Sequence, residues 1–233
     1  MDVVYIISAN NGDGSAFPRM QKSINSLRDG TMHFNLGIAD CSGRSVYDSI
    51  NQLDIGTYQY IHCPRTGPYN RSHNINVGVK RFVKDKHFWV SDIDILYEPD
   101  HLEECERRSQ KYDYLTFSMN KVQYDGTIKL IEAGGGFFCK TRYFWRVRGF
   151  DEQYVGWGSE DCDFTDRVIY AGAVEKRGIK RPILTHMWHP TNKTDIELVE
   201  KNEARLIDVR EQIKYGKFDN DTVNIDGWGV CDA

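Results

Sequence analysis

The stretch HFWVSDID, residues 87–94, is an apolar run that ends in two acidic residues, Asp92 and Asp94. Phe, Trp and Val favour strands, so residues 87–90 predict a buried β-strand. Residues two apart on a strand point to the same side, about 6 to 7 Å apart. Carboxylates at this spacing repel each other, and a divalent cation that also binds diphosphate oxygens would balance them. The alternative interpretation is a pair of solvated acids or helix caps at a loop edge.

On either side of this stretch, short apolar runs alternate with helical segments. Strands are predicted near residues 3–8, 34–39 and 58–62, and helices near residues 17–27 and 71–82. This alternation indicates βαβ units and a mainly parallel sheet, which binds ligands at the carboxyl ends of its strands. After residue 100 the predicted strands lie at 114–118, 122–124 and 127–131, and Asp125-Gly126 forms a hairpin turn.

The sequence therefore predicts an α/β fold with a single Rossmann-like, mainly parallel sheet and a mixed second half. We expect one catalytic domain over residues 1–218, divided into a nucleotide-binding half at about 1–100 and an acceptor-binding half at about 101–218. Residues 219–233 are expected to form a C-terminal tail.

The composition excludes several classes of protein. With 233 residues, of which 40% are apolar, the chain can bury a core and is not globally disordered. Its 34 acids and 30 bases give a net charge of -4, which offers no reason to expect nucleic acid or an anionic membrane as partner. No run approaches the ~20 apolar residues of a membrane span, and no signal peptide is recognised. If the chain is complete, we expect a soluble cytoplasmic protein.

The cysteines are scattered and show neither a C-x-x-C pair nor the spacing of a zinc site. In a chain of this length, this pattern predicts mostly reduced thiols that act as packing residues. The six are Cys41, Cys63, Cys105, Cys139, Cys162 and Cys231.

A second informative stretch is GWGSED, residues 156–161. A helix is predicted to begin near Glu160, and Ser159 could cap it while the acids favour its positive end. That interpretation does not explain Trp157 between two glycines. A flat aromatic ring beside carboxylates is typical of sugar binding, because the ring covers C–H faces while the acids accept hydroxyl hydrogen bonds. A carboxylate there could also remove the proton of an attacking hydroxyl.

Three motifs together resemble those of the β-1,4-galactosyltransferases and related N-acetylgalactosaminyltransferases. The region 134–167, with GFDE at 149–152 and GWGSED at 156–161, is similar to their C-terminal motif. The stretch YNRSHNINVG at 69–78 is similar to their F-N-R-A-x-x-x-N-x-G sequence, and DID at 92–94 to their D-V-D. The resemblance implies the GT-A fold of nucleotide-diphospho-sugar transferases.

By this resemblance, the chain is a metal-dependent inverting glycosyltransferase. It would transfer a hexose or N-acetylhexosamine from a nucleotide diphosphate sugar, most simply a UDP-sugar, to a carbohydrate acceptor. The implied metal ligands are Asp92 and Asp94, with Asp92 also near the ribose. The other implied roles are donor binding by Asp40, Arg71, Asp92 and Trp157, acceptor binding by Trp157, Glu160 and Asp161, and catalysis by Glu160 and Asp161, with Asp161 as the base that removes the proton.

The stretch ILTHMWHP, residues 183–190, contains two histidines. A lone histidine in such a place is usually a core or surface residue. The family, however, takes a further metal ligand from a histidine on a late strand, which implies His186 because it directly ends the predicted strand, with His189 as the alternative. Imidazole beside carboxylate favours Mn²⁺ over Mg²⁺.

Two other functions are consistent with an acidic strand end. A sugar nucleotidyltransferase needs a glycine-rich loop with a basic signature, which NNGDG at residues 10–14 lacks. A non-catalytic carbohydrate-binding protein on a transferase scaffold would not need the acidic residues or Arg71. Hydrolysis of a UDP-sugar in the presence of Mn²⁺ would distinguish these functions.

Overall fold

The computed structural model describes residues 1–7, 16–65, 67–132, 134–190 and 195–231, so residues 10–14 of the predicted loop lie outside the described part. The strands are β1 (Asp2–Ile7), β2 (Asn35–Asp40), β3 (Gln59–His62), β4 (His87–Ser91), β5 (Ile95–Leu96), β6 (Tyr114–Val122), β7 (Ile128–Ile131), β8 (Gly136–Lys140) and β9 (Glu175–His186). The helices are α1 (Ala16–Arg28), α2 (Tyr47–Asn51), α3 (Arg71–Phe82), α4 (His101–Ser109), α5 (Thr141–Arg146), α6 (Glu160–Tyr170) and α7 (Ile196–Lys214), followed by a 3-10 turn at Asn220–Thr222.

The strands form one sheet in the order β3-β2-β1-β4-β8-β6-β9-β5, with β7 paired to β6. The first four strands of the chain are mutually parallel. Beyond β4 the sheet is mixed, because β8 runs antiparallel to both β4 and β6, while β9 is parallel to β6. The prediction of an α/β fold with a parallel first half and a mixed second half is confirmed.

The central strands are buried on both faces. Phe88, Trp89 and Val90 of β4 are fully buried, as a strand covered by helices on either side requires. One face packs against α3, α5 and α6, and the other against α1, α2 and α4. At Gly37 a Cβ atom would lie 2.4 Å from the ring of Phe82, so this glycine lets α3 approach the sheet closely.

Parallel pairing places several strand ends at one edge. Ile7 pairs with Asp40, and Asp40 pairs with His62, so β1, β2 and β3 end together. The segments that follow β2, β3 and β4 therefore begin at the same edge of the sheet, where open α/β sheets bind ligands.

The C-terminal tail packs against the domain. The centre of the Trp228 ring lies 5.5 Å from the centre of the Phe144 ring and 4.7 Å from the Lys80 ammonium. A disulfide joins Cys63 to Cys231, whose Cα atoms are 5.0 Å apart although 168 residues separate them in sequence. The expectation of mostly reduced packing thiols does not hold for this pair, because folding brings the tail to the loop after β3. Within the described residues, every helix is too short or too polar to cross a bilayer.

Candidate functional site

Two backbone contacts bring the acidic strand end to the histidines. Asp94 lies between β4 and β5, and Ile95 of β5 pairs with His186 at the end of β9. The Met187 amide donates a hydrogen bond to the Asp94 carbonyl at 2.9 Å. The sheet itself therefore places the end of β9 beside Asp94. In the sequence, Thr185, the residue before His186, lies 91 positions after Asp94.

Asp94, His186 and His189 form a cluster whose ligand atoms all lie within 4.8 Å of one another. Asp94 Oδ2 is 2.9 Å from His189 Nε2 and 3.7 Å from His186 Nε2. Both histidines therefore face the carboxylate, and His189, which the sequence offered only as the alternative, is the nearer one.

Two buried atoms of this cluster, Asp94 Oδ1 and His186 Nδ1, have no hydrogen-bond partner among the residues that the structure describes. Buried polar atoms are almost always paired, so unpartnered ones in a ligand cluster fit the presence of a cation. One carboxylate and two imidazoles are a donor set suited to Mn²⁺ or another first-row divalent ion. The residues therefore fit a metal.

The charges of the cluster follow from its contacts. Burial raises the pKa of Asp94, but the hydrogen bond from His189 and the charges of both imidazoles outweigh it and lower the pKa overall. The same hydrogen bond raises the pKa of His189. Burial lowers the pKa of His186, which favours the neutral imidazole that binds a metal.

Asp92 contacts Arg71 and does not belong to the cluster of Asp94, His186 and His189. Arg71 donates to Asp92 Oδ1 from Nη2 at 3.1 Å and from Nε at 3.3 Å. Burial raises the pKa of Asp92, although the adjacent guanidinium opposes that rise. In this structure, the predicted metal ligand Asp92 pairs with a cation from its own chain.

Arg71 also contacts both acids of the 156–161 stretch. Its Nη1 lies 2.5 Å from Asp161 Oδ1 and 3.7 Å from Glu160 Oε1. Arg71 is the first residue of α3, and Glu160 is the first residue of α6. The guanidinium therefore stands between the acidic strand end and the acidic helix start.

A short backbone bridge explains why these two helix starts meet. Asn70 pairs with Gly156, and the Gly156 amide donates to the Tyr69 carbonyl at 2.7 Å. The Asn70 side chain caps α3 by accepting from the His73 amide at 2.7 Å, and its amide group donates to the Glu152 carbonyl. Sequence reasoning did not assign Asn70 a role, although an Asn before a helical run is an N-cap signal.

Trp157 projects into solvent beside these acids, with 69% of its surface exposed. The glycines that flank it have φ angles of 80° and 105°, which a residue with a side chain adopts only at a cost. Ser159 occupies the N-cap position at a φ of 71°, but its side chain makes no capping hydrogen bond. The capping interpretation of Ser159 is therefore wrong, and the backbone instead turns to display Trp157.

Glu160 is buried, whereas the Asp161 side chain is 56% exposed. Burial, reinforced by the Asp161 charge, raises the pKa of Glu160 to about 7, although Arg71 opposes the rise. Neighbouring acids thus occupy different environments, which is typical of sites that handle protons.

Asp40 is fully buried at the end of β2. Its carboxylate accepts from the Ser42 amide at 2.9 Å, the Val46 amide at 3.0 Å and the Tyr60 hydroxyl at 2.5 Å. The donor-binding role implied for Asp40 stays a prediction, and in this structure both carboxylate oxygens contact groups of the protein itself. In this way Asp40 orders the loop after β2.

Residues 115–190 match the protein family described as the N-terminal domain of galactosyltransferase. Human β-1,4-galactosyltransferase 3 is 34% identical over 125 residues, which cover 52% of this chain and 31% of the relative. Bovine β-1,4-galactosyltransferase 1 is 31% identical over 129 residues, covering 52% and 30%. The matched region thus spans about a third of the length of these relatives.

Solved structures share the fold. GalNAc-T7, crystallised with UDP, GalNAc and Mn²⁺, gives a TM-score of 0.68 at 12% identity over 89% of this chain and 47% of that one. S. aureus TarS 1-349 in complex with UDP-GlcNAc gives 0.63 at 12% identity, over 97% and 74%. This chain therefore has the GT-A fold of these proteins, and within that fold residues 115–190 are similar to the galactosyltransferase family.

Proposed function

We propose that this chain is a metal-dependent, inverting glycosyltransferase that moves a hexose or N-acetylhexosamine from a UDP-sugar to a carbohydrate acceptor. The observation that carries the proposal is the position of Arg71. Its guanidinium contacts Asp92 on one side and Asp161 on the other, so it links the metal-binding and acidic motifs. An arginine held in this way can bind a diphosphate at the carboxyl edge of the sheet.

Asp94, His186 and His189 would hold the metal, which is Mn²⁺ in this proposal. When bound, the ion supplies positive charge that stabilises a departing nucleotide diphosphate. The Mn²⁺ in the GalNAc-T7 structure supports this choice by analogy of fold. Asp92, which contacts Arg71, would lie near the ribose and the metal when the donor is bound.

The acceptor would bind at the start of α6. The exposed ring of Trp157 offers a flat apolar face for the C–H surface of a sugar. Glu160 accepts a hydrogen bond from a hydroxyl of the acceptor sugar when it is ionised, and donates one when it is protonated. Asp161 removes the proton of the attacking hydroxyl as the bond between the donor sugar and its diphosphate breaks. Attack opposite the leaving group inverts the anomeric carbon without an enzyme nucleophile.

The test is transfer by the purified full chain. UDP-galactose, UDP-GalNAc and UDP-GlcNAc are each incubated with Mn²⁺ and a panel of mono- and disaccharide acceptors, and the products are followed by mass spectrometry. We expect UDP release and a β-linked product by NMR from an α-linked donor. A product that retains the donor configuration contradicts the mechanism, and the absence of UDP binding to the Mn²⁺-loaded chain contradicts the function.

A further inference from the structure

A second cluster of ligand-type side chains lies apart from the Asp94–histidine site. The Sγ atoms of Cys41 and Cys63 and a ring nitrogen of His73 lie within 4.8 Å of one another, and all three residues are buried. Cys63 Sγ is 3.8 Å from His73 Nε2. Cys231, bonded to Cys63, brings a third sulfur to the same place. Two sulfurs and one imidazole thus form one cluster, and the third sulfur adjoins it through its bond to Cys63.

The fold explains this convergence. Cys41 and Cys63 directly follow β2 and β3, whose last residues pair in register, and the Cys63 amide donates to the Asp40 carbonyl at 2.8 Å. His73 lies in the first turn of α3. Cys231 arrives from the tail. Four separate segments therefore each supply one side chain, which is why no local spacing in the sequence reveals the group.

The far side of the His73 ring is held by a carboxylate. His73 Nδ1 lies 2.8 Å from Glu152 Oε2, which leaves Nε2 facing the sulfurs. Glu152 is itself fixed, because it accepts from the Asn76 side chain at 2.8 Å and the Gly229 amide at 2.7 Å. A carboxylate that orients the second nitrogen of an imidazole is the usual companion of a zinc-binding histidine.

The Cys41 thiol packs in the hydrophobic core together with Cys63. Burial raises its pKa to about 12, so without a cation it remains protonated in the interior. A nearby Zn²⁺ would reverse that preference, because a coordinating thiol loses its proton.

We propose that, with its cysteines reduced, this protein binds a structural Zn²⁺ through Cys41, Cys63, Cys231 and His73. Zinc–sulfur bonds of about 2.3 Å in a tetrahedron place ligand atoms roughly 3.7 Å apart, close to the observed Cys63–His73 separation. Binding converts three thiols to thiolates and releases their protons, and no electron is transferred. Cysteines are synthesised as thiols, so the reaction needs no reductant.

The disulfide and the zinc site are alternative states of the same sulfurs. Oxidation of Cys63 and Cys231 leaves Cys41 as a buried thiol, whereas zinc uses all three. Either state ties the tail, with Trp228, to the edge of the sheet where α3 begins. Only the zinc state makes Cys41 and His73 necessary, and this difference allows a decisive test.

The probe is Co²⁺, added to the full chain kept reduced with a phosphine. Thiolate ligands give Co²⁺ an intense sulfur-to-metal charge-transfer absorption, which an Asp94–histidine site cannot produce. We expect this absorption to saturate at one equivalent of Co²⁺, to vanish on addition of Zn²⁺, and to persist in Asp94→Asn. Its absence from the reduced wild-type chain overturns the proposal, and this result needs no variant to fold.

Variants assign the ligands. Cys41→Ser should lose most of the absorption, whereas Cys162→Ser, which alters an exposed thiol outside the cluster, should keep it. Glu152→Gln tests a positioning residue and should weaken Zn²⁺ binding by about 10- to 100-fold. Equal absorption in Cys41→Ser and wild type would also overturn the proposal, since the thiolates would then come from elsewhere. Circular dichroism confirms that each variant is folded before it is titrated.

Discussion

Arg71 Nη1 lies 2.5 Å from Asp161 Oδ1, so a charge at the start of α3 neutralises one at the start of α6, 90 residues further along the chain. The Arg71 side chain is 11% exposed, and although burial lowers its pKa, the Asp161, Asp92 and Glu160 charges outweigh that effect and hold the pKa well above the ordinary value. A fixed cation therefore stands among three carboxylates. In the proposed reaction it meets the donor diphosphate, and Asp161 is then free to interact with the acceptor.

Asp161→Asn should lower kcat by about 10² to 10⁴ while leaving UDP affinity within a few fold of wild type. The amide preserves the shape of the side chain but cannot accept a proton. Transfer rates at saturating donor and calorimetric UDP titration in Mn²⁺ measure the two quantities. Asp166→Asn, on the same helix but paired with Arg210 at the surface, is the matched control and should retain activity. Near-normal turnover in Asp161→Asn would exclude this residue as the proton acceptor.

Asp94→Asn should remove the metal-dependent part of UDP affinity. In wild type we expect UDP to bind more weakly in EDTA than in Mn²⁺, because the Asp94 carboxylate then faces the diphosphate as a like charge without the metal between them. In Asp94→Asn the two conditions should give the same Kd. Asp92→Asn should keep a clear difference, since Asp92 contacts Arg71 rather than the histidines. Calorimetry of all three proteins provides the comparison, and equal wild-type affinity in both conditions would refute the metal role.

The two histidines extend this test. His189→Ala and His186→Ala should each weaken Mn²⁺ binding, measured by electron paramagnetic resonance of the free ion. His189 is the nearer to Asp94 Oδ2, at 2.9 Å against 3.7 Å. If only one of the two variants loses affinity, the site uses one imidazole and the other histidine is a neighbour.

Glu160 should make the stability of the metal-free protein depend on pH. Burial, with the Asp161 charge, raises its pKa from 4.5 to about 7, so between these values the folded state binds a proton more tightly than the unfolded state. The contribution of this group to the free energy of unfolding therefore falls as pH rises from 4.5 to 7 and stays low above that. Glu160→Gln removes the effect. The free energy of unfolding of Glu160→Gln, relative to that of wild type, should be higher at pH 8 than at pH 4.5.

Urea unfolding in EDTA at the two pH values gives this comparison. Glu203→Gln, which alters an exposed acid on α7, is the control and should change little at either pH. A Glu160→Gln effect that is the same at pH 4.5 and pH 8 would show that the carboxyl does not titrate in this range.

The parallel half of the fold follows from local sequence. β1, β2 and β4 are short apolar runs that the sheet buries on both faces, whereas the edge strand β3 is only partly buried, and the local sequence located all four strands. The mixed half was harder to predict. Strand β9 spans Glu175–His186 and alternates charged with apolar residues only irregularly, and the sequence marked only its last apolar residues. Its pairing with β6 is long-range and shifts register twice.

The residues of the candidate site also fall into those that the sequence could predict and those that it could not. Motif residues such as Arg71, Asp94 and Glu160 were identified because their neighbours in sequence form recognisable patterns. The proximity of His189 to Asp94 and of Cys231 to Cys63 depends on tertiary contacts that no spacing encodes. For Asp40 the resemblance implied donor binding, whereas its hydrogen bonds to the loop after β2 could not be read from the sequence.

The last prediction concerns the support beneath α6. Arg167 and Asp163 form a fully buried ion pair with Arg167 Nη2 2.7 Å from Asp163 Oδ2. Arg167 Nη1 also donates to the Val147 and Gly149 carbonyls at 2.7 and 2.9 Å, and so holds the turn that precedes the 149–161 segment. Arg167→Met leaves Asp163 buried without its partner and should destabilise the protein by about 3 to 5 kcal/mol.

Urea unfolding at neutral pH measures this cost, with Arg210→Met as the control. Arg210 of α7 pairs with Asp166, which lies on α6 like Asp163. Because Arg210 is 52% exposed, its loss should cost no more than about 1 kcal/mol. The double variant Arg167→Met, Asp163→Leu separates charge from architecture, since it removes the stranded carboxylate together with its partner. If the penalty comes from the unpaired charge, the double variant should be more stable than Arg167→Met alone. If the two are equally unstable, the hydrogen bonds from Arg167 to the 147–149 turn are the larger contribution.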